Sequence, residues 1–191
     1  MPGPQRDAER TQRRILEAAA RAIATKGVGV SLDAIARSAG VSKGGLMHHF
    51  PSRDELLTAL MGDLLAQFDE AVTAALDPAD DAPGRLTRAY VRAVFADLEN
   101  GERAREQITV MGMIGSDPGV TALVRDDDAR WHQRILADGL DPLRAEVITK
   151  AADGATGSLL WSRQDPRELD ALRDTLLALT RDPGALVEPA R

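Results

Sequence analysis

The chain has 191 residues, with 24 Lys and Arg against 30 Asp and Glu for a net charge of −6, a length that suits one or two domains with a substantial core. It contains no cysteine, which removes disulfides, thiolate metal sites and thiol nucleophiles. No apolar run approaches the roughly twenty residues that cross a bilayer, and the opening MPGPQRDAERTQRR lacks a secretory hydrophobic stretch, so a cytoplasmic protein with no membrane partner is expected.

The charge is segregated. Residues 1–55 hold nine basic against six acidic side chains, a balance of +3, while residues 56–191 hold fifteen against twenty-four, a balance of −9. A basic head on an acidic body suits a polyanionic partner that meets one end only.

In chain order, residues 1–7 contain Pro and Gly and are expected to be disordered. A first helix follows to Lys26, with Ile15, Ala19, Ala22 and Ile23 on one stripe, Arg10, Arg13, Arg14 and Arg21 mostly outside it, and Gly27 ending it. Ser31 can cap a short helix whose Leu32, Ile35 and Ala36 share a face, and Gly40 can end it in the left-handed conformation. Val41 would fill the angle between two helices. Ser42 is placed to cap the next one, where Leu46 points inward and Lys43, Gly44, Met47 and His48 remain outside. Pro51 closes that helix, and Ser52-x-x-Glu55 is a capping box that opens another. Two short helices joined by a glycine-containing turn form the DNA-reading helix-turn-helix, so double-stranded DNA is the first partner to expect.

A long helix from Arg53 to Leu76 then presents Leu57, Leu60, Met61, Leu64, Leu65, Phe68 and Val72 close to one face. Breakers alternate with apolar helical stretches over 86–98, 104–114, 120–140, 143–162 and 169–180, with Asp or Ser before several starts and a frayed tail after Arg181. Strand-like alternation bounded by hairpin turns is missing. The expected fold is all-α, about nine helices.

The segment SLDAIARSAGVSKGGLMHHFPSRDELL resembles the DNA-binding domain of the TetR family of bacterial transcription regulators. The resemblance covers about residues 8–60 and rests on Lys26-Gly27, Ile35-Ala36, Ala39-Gly40-Val41-Ser42, Gly44, Leu46, His49-Phe50 and Leu56-Leu57 in register. It implies a three-helix DNA-binding domain at 8–52, a helical ligand-binding and dimerisation domain at 53–181, and disordered tails at 1–7 and 182–191. It also implies DNA contacts from Ser31, Ser42, Lys43, Gly44, Gly45, Met47, His48, His49 and Arg53. The sequence departs from the family at Met47, where a phosphate-contacting tyrosine is usual, and at Gly45, where a side chain often meets a base. Methionine cannot donate a hydrogen bond, so base reading falls on Lys43 and His48 with a larger share from DNA shape.

The second part carries two further expectations. Val147, Ile148, Ala151, Ala155 and Leu159, with Leu169, Leu172 and Leu176, form apolar faces on the last two helices. Alone they read equally as core or as interface; the resemblance favours a four-helix bundle between two protomers, and a homodimer would match a palindromic site. Met61, Leu65, Phe68, Tyr90, Val94, Gln107, Met111, Ile114, Trp131, Ile135 and Trp161 are the expected walls of a pocket for an unknown, mainly apolar effector, each of them also readable as ordinary core.

The resulting expectation is a ligand-responsive homodimeric repressor without cofactor or metal. Asp126-Asp127-Asp128 points in three directions along a helix and reads as solvated. A helical-bundle metalloenzyme would need Glu-x-x-His pairs, and none occurs. An architectural or protein-interaction DNA binder, or an activator on the same fold, remains the alternative.

Overall fold

The structure, a computed structural model, describes residues 4–162 and 165–187. Those residues form nine helices and no strand: α1 Pro4–Lys26, α2 Leu32–Ala39, α3 Lys43–His49, α4 Arg53–Ala74, α5 Arg85–Glu99, α6 Gly101–Ile114, α7 Pro118–Leu136, α8 Pro142–Ser158 and α9 Pro166–Leu179. They divide into two compact units. The first comprises the chain up to Leu65 together with Glu106–Asp126, and the second comprises Ala66–Arg105 with Asp127 onward.

The helix starts explain several boundaries. Asp141 and Asp165 accept hydrogen bonds from the backbone N–H groups of Arg144 and Arg167, both at 2.9 Å. Asp117 accepts from Gly119 at 3.0 Å. In each case the next residue is a proline at the first helical position, where its missing N–H costs nothing and its fixed φ already suits a helix. The Asp-Pro pairs therefore open α7, α8 and α9 one to three residues earlier than the sequence breakers suggested. At the other end, Gly139 adopts φ 85° beyond the end of α7, so this helix stops at Leu136 rather than Leu140.

The first unit closes around Ile15, Ala19 and Ile23 of α1, Ile35 and Ala36 of α2, Leu46 of α3 and Leu56 and Leu60 of α4, all nearly or fully buried. Val110, Ile114 and Val120 complete the same core from α6 and α7. The second unit gathers Val72, Val91, Phe95, Ala104, Trp131, Ile135, Ile148, Ala152 and Leu176.

Two expectations on extent change. Residues 4–7, read as part of a disordered tail, are helical because α1 extends to Pro4. The segment 182–187 is held: Arg144 donates to the carbonyls of Gly184 (2.9 Å) and Ala185 (3.3 Å), and Asp141 accepts from the Leu186 N–H. The remainder of both expected tails, residues 1–3 and 188–191, lies outside the described residues. The division between the two compact units falls inside α4, between Leu65 and Ala66, and the first unit also takes in 106–126.

Candidate functional site

The helix-turn-helix is built from a short list of backbone bonds. The Ser31 hydroxyl accepts from the Ala34 N–H at 3.2 Å and starts α2. Gly40, at φ 67°, ends it by donating its N–H to the Arg37 carbonyl at 3.1 Å, a conformation costly for any residue with a Cβ. The Arg14 guanidinium reaches from α1 to the Ala39 carbonyl at 2.5 Å, locking the turn from behind. Ser42 then caps α3 by accepting from Gly45 N–H at 3.0 Å. In the capping box, Ser52 accepts from the Glu55 N–H and donates to its carboxylate, both at 3.1 Å.

This scaffolding fixes one face of α3 outward. Leu46 is fully buried, whereas Lys43, Gly44, Met47 and His48 are exposed and His49 is half-buried, its ring beside those of His48 and Phe50. A Cβ placed on Gly44 would come no nearer than 4.0 Å to any neighbouring heavy atom, so nothing within the protein requires glycine there. At Gly45 the nearest atom is the Ser42 hydroxyl oxygen at 3.3 Å, a tighter fit.

Two of the cationic side chains expected on DNA have internal partners. Lys43 Nζ lies 3.0 Å from Asp33 of α2, an exposed ion pair. Arg53 Nη1 donates to the Val30 carbonyl at 2.8 Å, while Nη2 is buried without a partner among the described residues. Arg53 thus ties the start of α4 to the loop before α2 as well as being a candidate phosphate contact.

The expected pocket residues are divided between the two units. Met61, Leu65, Met111 and Ile114 belong to the core of the first unit, where Met61 and Ile114 are fully packed, and Gln107 belongs to the same unit. Trp161 is 87 % exposed and borders an open groove with Phe95, Leu98, Leu159 and Leu169. Phe68, Tyr90, Val94, Trp131 and Ile135 do share the second unit's interior. The rings of Phe68, Tyr90 and Trp131 meet at centroid distances of 5.1, 5.6 and 5.4 Å, largely edge to face, the arrangement ring quadrupoles favour.

Beside this trio lies a cavity of about 210 Å³ lined by Tyr90, Asp128, Trp131, His132, Ile135, Leu136, Pro142, Glu146, Thr149, Lys150 and Asp153. Of the polar side chains on that wall, only Tyr90 was among the pocket residues expected from the sequence. Asp153 accepts a 2.5 Å hydrogen bond from the Tyr90 hydroxyl. Burial raises the Asp153 carboxyl above its ordinary value, against the opposing Tyr90 bond and Lys150 charge. Burial, reinforced by the Asp153 charge, also pushes the Tyr90 phenol far above its usual range. Arg134 lies over the Trp131 ring, 4.1 Å from its centroid, and pairs with Asp69, which Arg130 also reaches. Within the acidic triplet Asp126 meets Arg125, Asp127 meets Arg130, and Asp128 borders the cavity.

The expected dimer residues also divide. Ile148, Ala155, Leu159 and Leu176 are buried inside the single chain and are core, a correction forced by their packing against α5 and α9 residues of the same unit. Val147 is 41 % exposed, Ala151, Leu169 and Leu172 are half-buried, and Leu143, outside the expected set, is 49 % exposed.

Comparison with known proteins matches both parts of the chain. A profile described as bacterial regulatory proteins, tetR family, covers residues 15–60, and one described as tetracyclin repressor-like, C-terminal domain, covers residues 84–181. The chain is 31 % identical over 156 residues to the HTH-type transcriptional regulator BetI of Pseudomonas paraeruginosa, covering 78 % of each, and 28 % identical over 153 residues to BetI of Burkholderia mallei, again 78 % of each. Among solved structures, a transcriptional regulator from Rhodococcus sp. Rha1 shares the fold at TM-score 0.72 and 20 % identity, over 88 % of this chain and 95 % of that one. The multidrug binding protein EbrR, solved with malachite green, matches at TM-score 0.65 and 25 % identity, over 88 % and 97 %. With its helix-turn-helix and both halves matched, the chain belongs to the TetR family of DNA-binding transcription regulators.

Proposed function

We propose that the chain is a homodimeric repressor that binds a palindromic operator and is released when a small molecule occupies its second unit. The observation that carries this reading is the outward face of α3, with Lys43, Gly44, Met47 and His48 exposed while Leu46 anchors the helix in the core. Entering the major groove with that face, Lys43 and His48 meet base edges, and the glycines allow close approach. Ser31, Ser42, His49 and Arg53 contribute along the phosphates. Two such heads, one per protomer, would bind half-sites about one helical turn, or a multiple of it, apart.

The apolar line of exposed Leu143 and Val147 and half-buried Ala151 on α8, with half-buried Leu169 and Leu172 of α9, is the face we assign to the second protomer. An effector binding the second unit would bias the spacing of the two heads, with α4, whose residues belong to both units, as the connecting element. EbrR is a precedent in the same fold for a protein that binds drugs. A protein whose target is genomic DNA works where that DNA is, in the cytoplasm of a bacterial cell.

Selection of binding sites from random duplexes by the purified protein, at near-physiological salt, tests the reading. A palindromic consensus is expected. Lys43→Ala should then weaken operator binding with some loss of sequence preference, and Arg53→Ala should weaken binding evenly across sequences and flatten the salt dependence. Recovery of no preferred sequence by a folded protein would favour an architectural role, a reading to which Gly44, Gly45 and Met47 lend weight because they leave few side chains for base edges.

A further inference from the structure

The positive balance of the head comes in part from cations that the expected DNA contacts leave out. Three of them, Arg10, Arg14 and Arg37, stand around the turn between α2 and α3. Arg14 of α1 is placed by a bond: its Nη2 donates to the Ala39 carbonyl at 2.5 Å, so close to the turn that a Cβ on Gly40 would lie 2.8 Å from it. The rest of that guanidinium makes no bond among the described residues, and Arg14 is exposed. Arg10 stands one turn earlier on the same side of α1, its side chain 73 % exposed and paired with Asp7 at 3.4 Å.

Two contacts relate these arginines to α3. The short loop 27–31 joins α1 to α2, and Arg14 meets the far end of α2, so the two helices run antiparallel. The first turns of α1, residues 4–13, therefore run on past the Gly40 turn, at which α3 begins. No described side chain over 6–14 is buried, so this overhang adds nothing to the core. Arg37 of α2 is exposed and without a partner among the described residues. It lies one turn after Asp33, whose 3.0 Å pair with Lys43 shows that this side of α2 adjoins the outward face of α3.

We propose that Arg10, Arg14 and Arg37 form a second phosphate-binding surface, which grips the DNA backbone beside the groove that α3 enters. Guanidiniums on two helices need not converge on one small anion here, because the phosphates of a duplex recur along each strand and separate cations meet separate charges. Arg14, with one nitrogen tied to a carbonyl, presents the rest of its planar fork in an orientation fixed before DNA arrives. Backbone contacts of this kind set register and orientation and carry no base information. That suits a recognition helix whose Gly44, Gly45 and Met47 offer few side chains to base edges. The surface rests on the reading of α3 as the DNA-entering helix and extends the contact to α1 and to the far end of α2.

The salt dependence of duplex binding by the full chain tests it, with the sequence recovered by site selection as the probe. Each lost phosphate contact flattens the log–log slope by about 0.9. Arg10→Gln combined with Arg37→Gln, both exposed and outside the core, should flatten it by about 1.8, weaken binding several-fold at near-physiological salt and leave sequence preference unchanged. Arg181→Gln, which removes a charge from an exposed position of the second unit, should leave the slope as it is. Adding Arg14→Gln should remove a third contact; because Arg14 also locks the turn, the double variant carries the test if the triple variant does not fold. Operator binding by the wild type with an unchanged slope in the double variant overturns the surface and leaves the DNA-binding reading standing. A folded wild type that binds no duplex overturns both. Loss of binding to phosphatidylglycerol vesicles in the double variant, with DNA binding unaltered, would assign the arginines to lipid and overturn the proposal, as would an equal flattening by Arg181→Gln.

Discussion

The two units bury different things. Thr87, Arg88, Arg144 and Thr180, the polar and charged residues buried among those described, all belong to the second unit. Arg88 forks onto Asp80 with two 2.6 Å bonds and donates as well to the carbonyls of Ala82, Pro83 and Thr180. In the first unit the core is apolar throughout, and polar groups act at helix ends: three serine caps, Arg14 on the Ala39 carbonyl and Arg53 on that of Val30. The contrast suits the two kinds of partner proposed above, DNA for the first unit and a small molecule for the second. A reading head meets DNA on its exterior and needs only rigidity inside, so dispersion and burial suffice. A unit that recognises a small molecule must present polar groups inwardly, and each needs a partner or a ligand.

The largest effect that can break the comparison is expected from Leu46→Ala. Leu46 is fully buried, and truncating such a side chain costs about 2–5 kcal/mol. Because α3 has only seven residues and no other fully buried side chain, operator binding should be lost at a temperature where the far-ultraviolet dichroism of the second unit persists. A single cooperative transition, with binding and helicity lost together, would show that the two interiors are energetically one.

Arg144→Ala probes the other interior. It removes a buried guanidinium from the carbonyls of Leu179, Gly184 and Ala185 and from Asp182, a loss on the order of 2–3 kcal/mol for charge-assisted bonds. Hydrogen exchange should quicken in 182–187 first, while the amides of α2 and α3 keep their protection. Equal deprotection in both places would contradict the division.

Gly44→Ala separates stability from binding within the head. With no neighbouring heavy atom within 4 Å except the Ser42 hydroxyl at that distance, the added methyl is accommodated, and alanine raises helix stability by up to about 1 kcal/mol over glycine. A higher thermal midpoint with weaker operator binding is expected if the glycine serves close approach to the duplex. A gain in both would remove Gly44 from the interface.

Much of the first unit was legible in the sequence because its signals are local. Ser31, Gly40, Ser42 and the Ser52-x-x-Glu55 box each act within four residues, and each makes a bond of the kind its spacing suggests. The Asp-Pro pairs were misread as breakers, although Asp as cap and Pro at the first helical position was the available signal. The second unit was harder because its chemistry joins distant residues: Tyr90 with Asp153, Arg144 with Gly184, Asp69 with Arg134. Apolar periodicity marks a face without saying what covers it. Ile148 and Val147 are adjacent in sequence, and only packing separates the buried residue from the exposed one.

The smallest effect concerns a pair inside the head. Asp33 holds Lys43 at 3.0 Å, and both side chains are about half exposed, 48 % and 54 %, so the pair contributes at most about 1 kcal/mol to stability. Lys43 must nonetheless leave it to reach DNA, and Asp33 itself repels phosphate. Asp33→Asn should therefore tighten binding to non-specific duplex by a few-fold and steepen the salt dependence by up to about one unit, since one more cation is free to displace counterions. The same change removes a negative charge from the first turn of α2, where the helix dipole favours it, and should lower thermal stability by a few tenths of a kcal/mol. The two shifts have opposite signs and separate an electrostatic role from a structural one. Unchanged affinity at low salt would mean that Lys43 does not approach the duplex, leaving His48 as the side chain of α3 on which base reading depends.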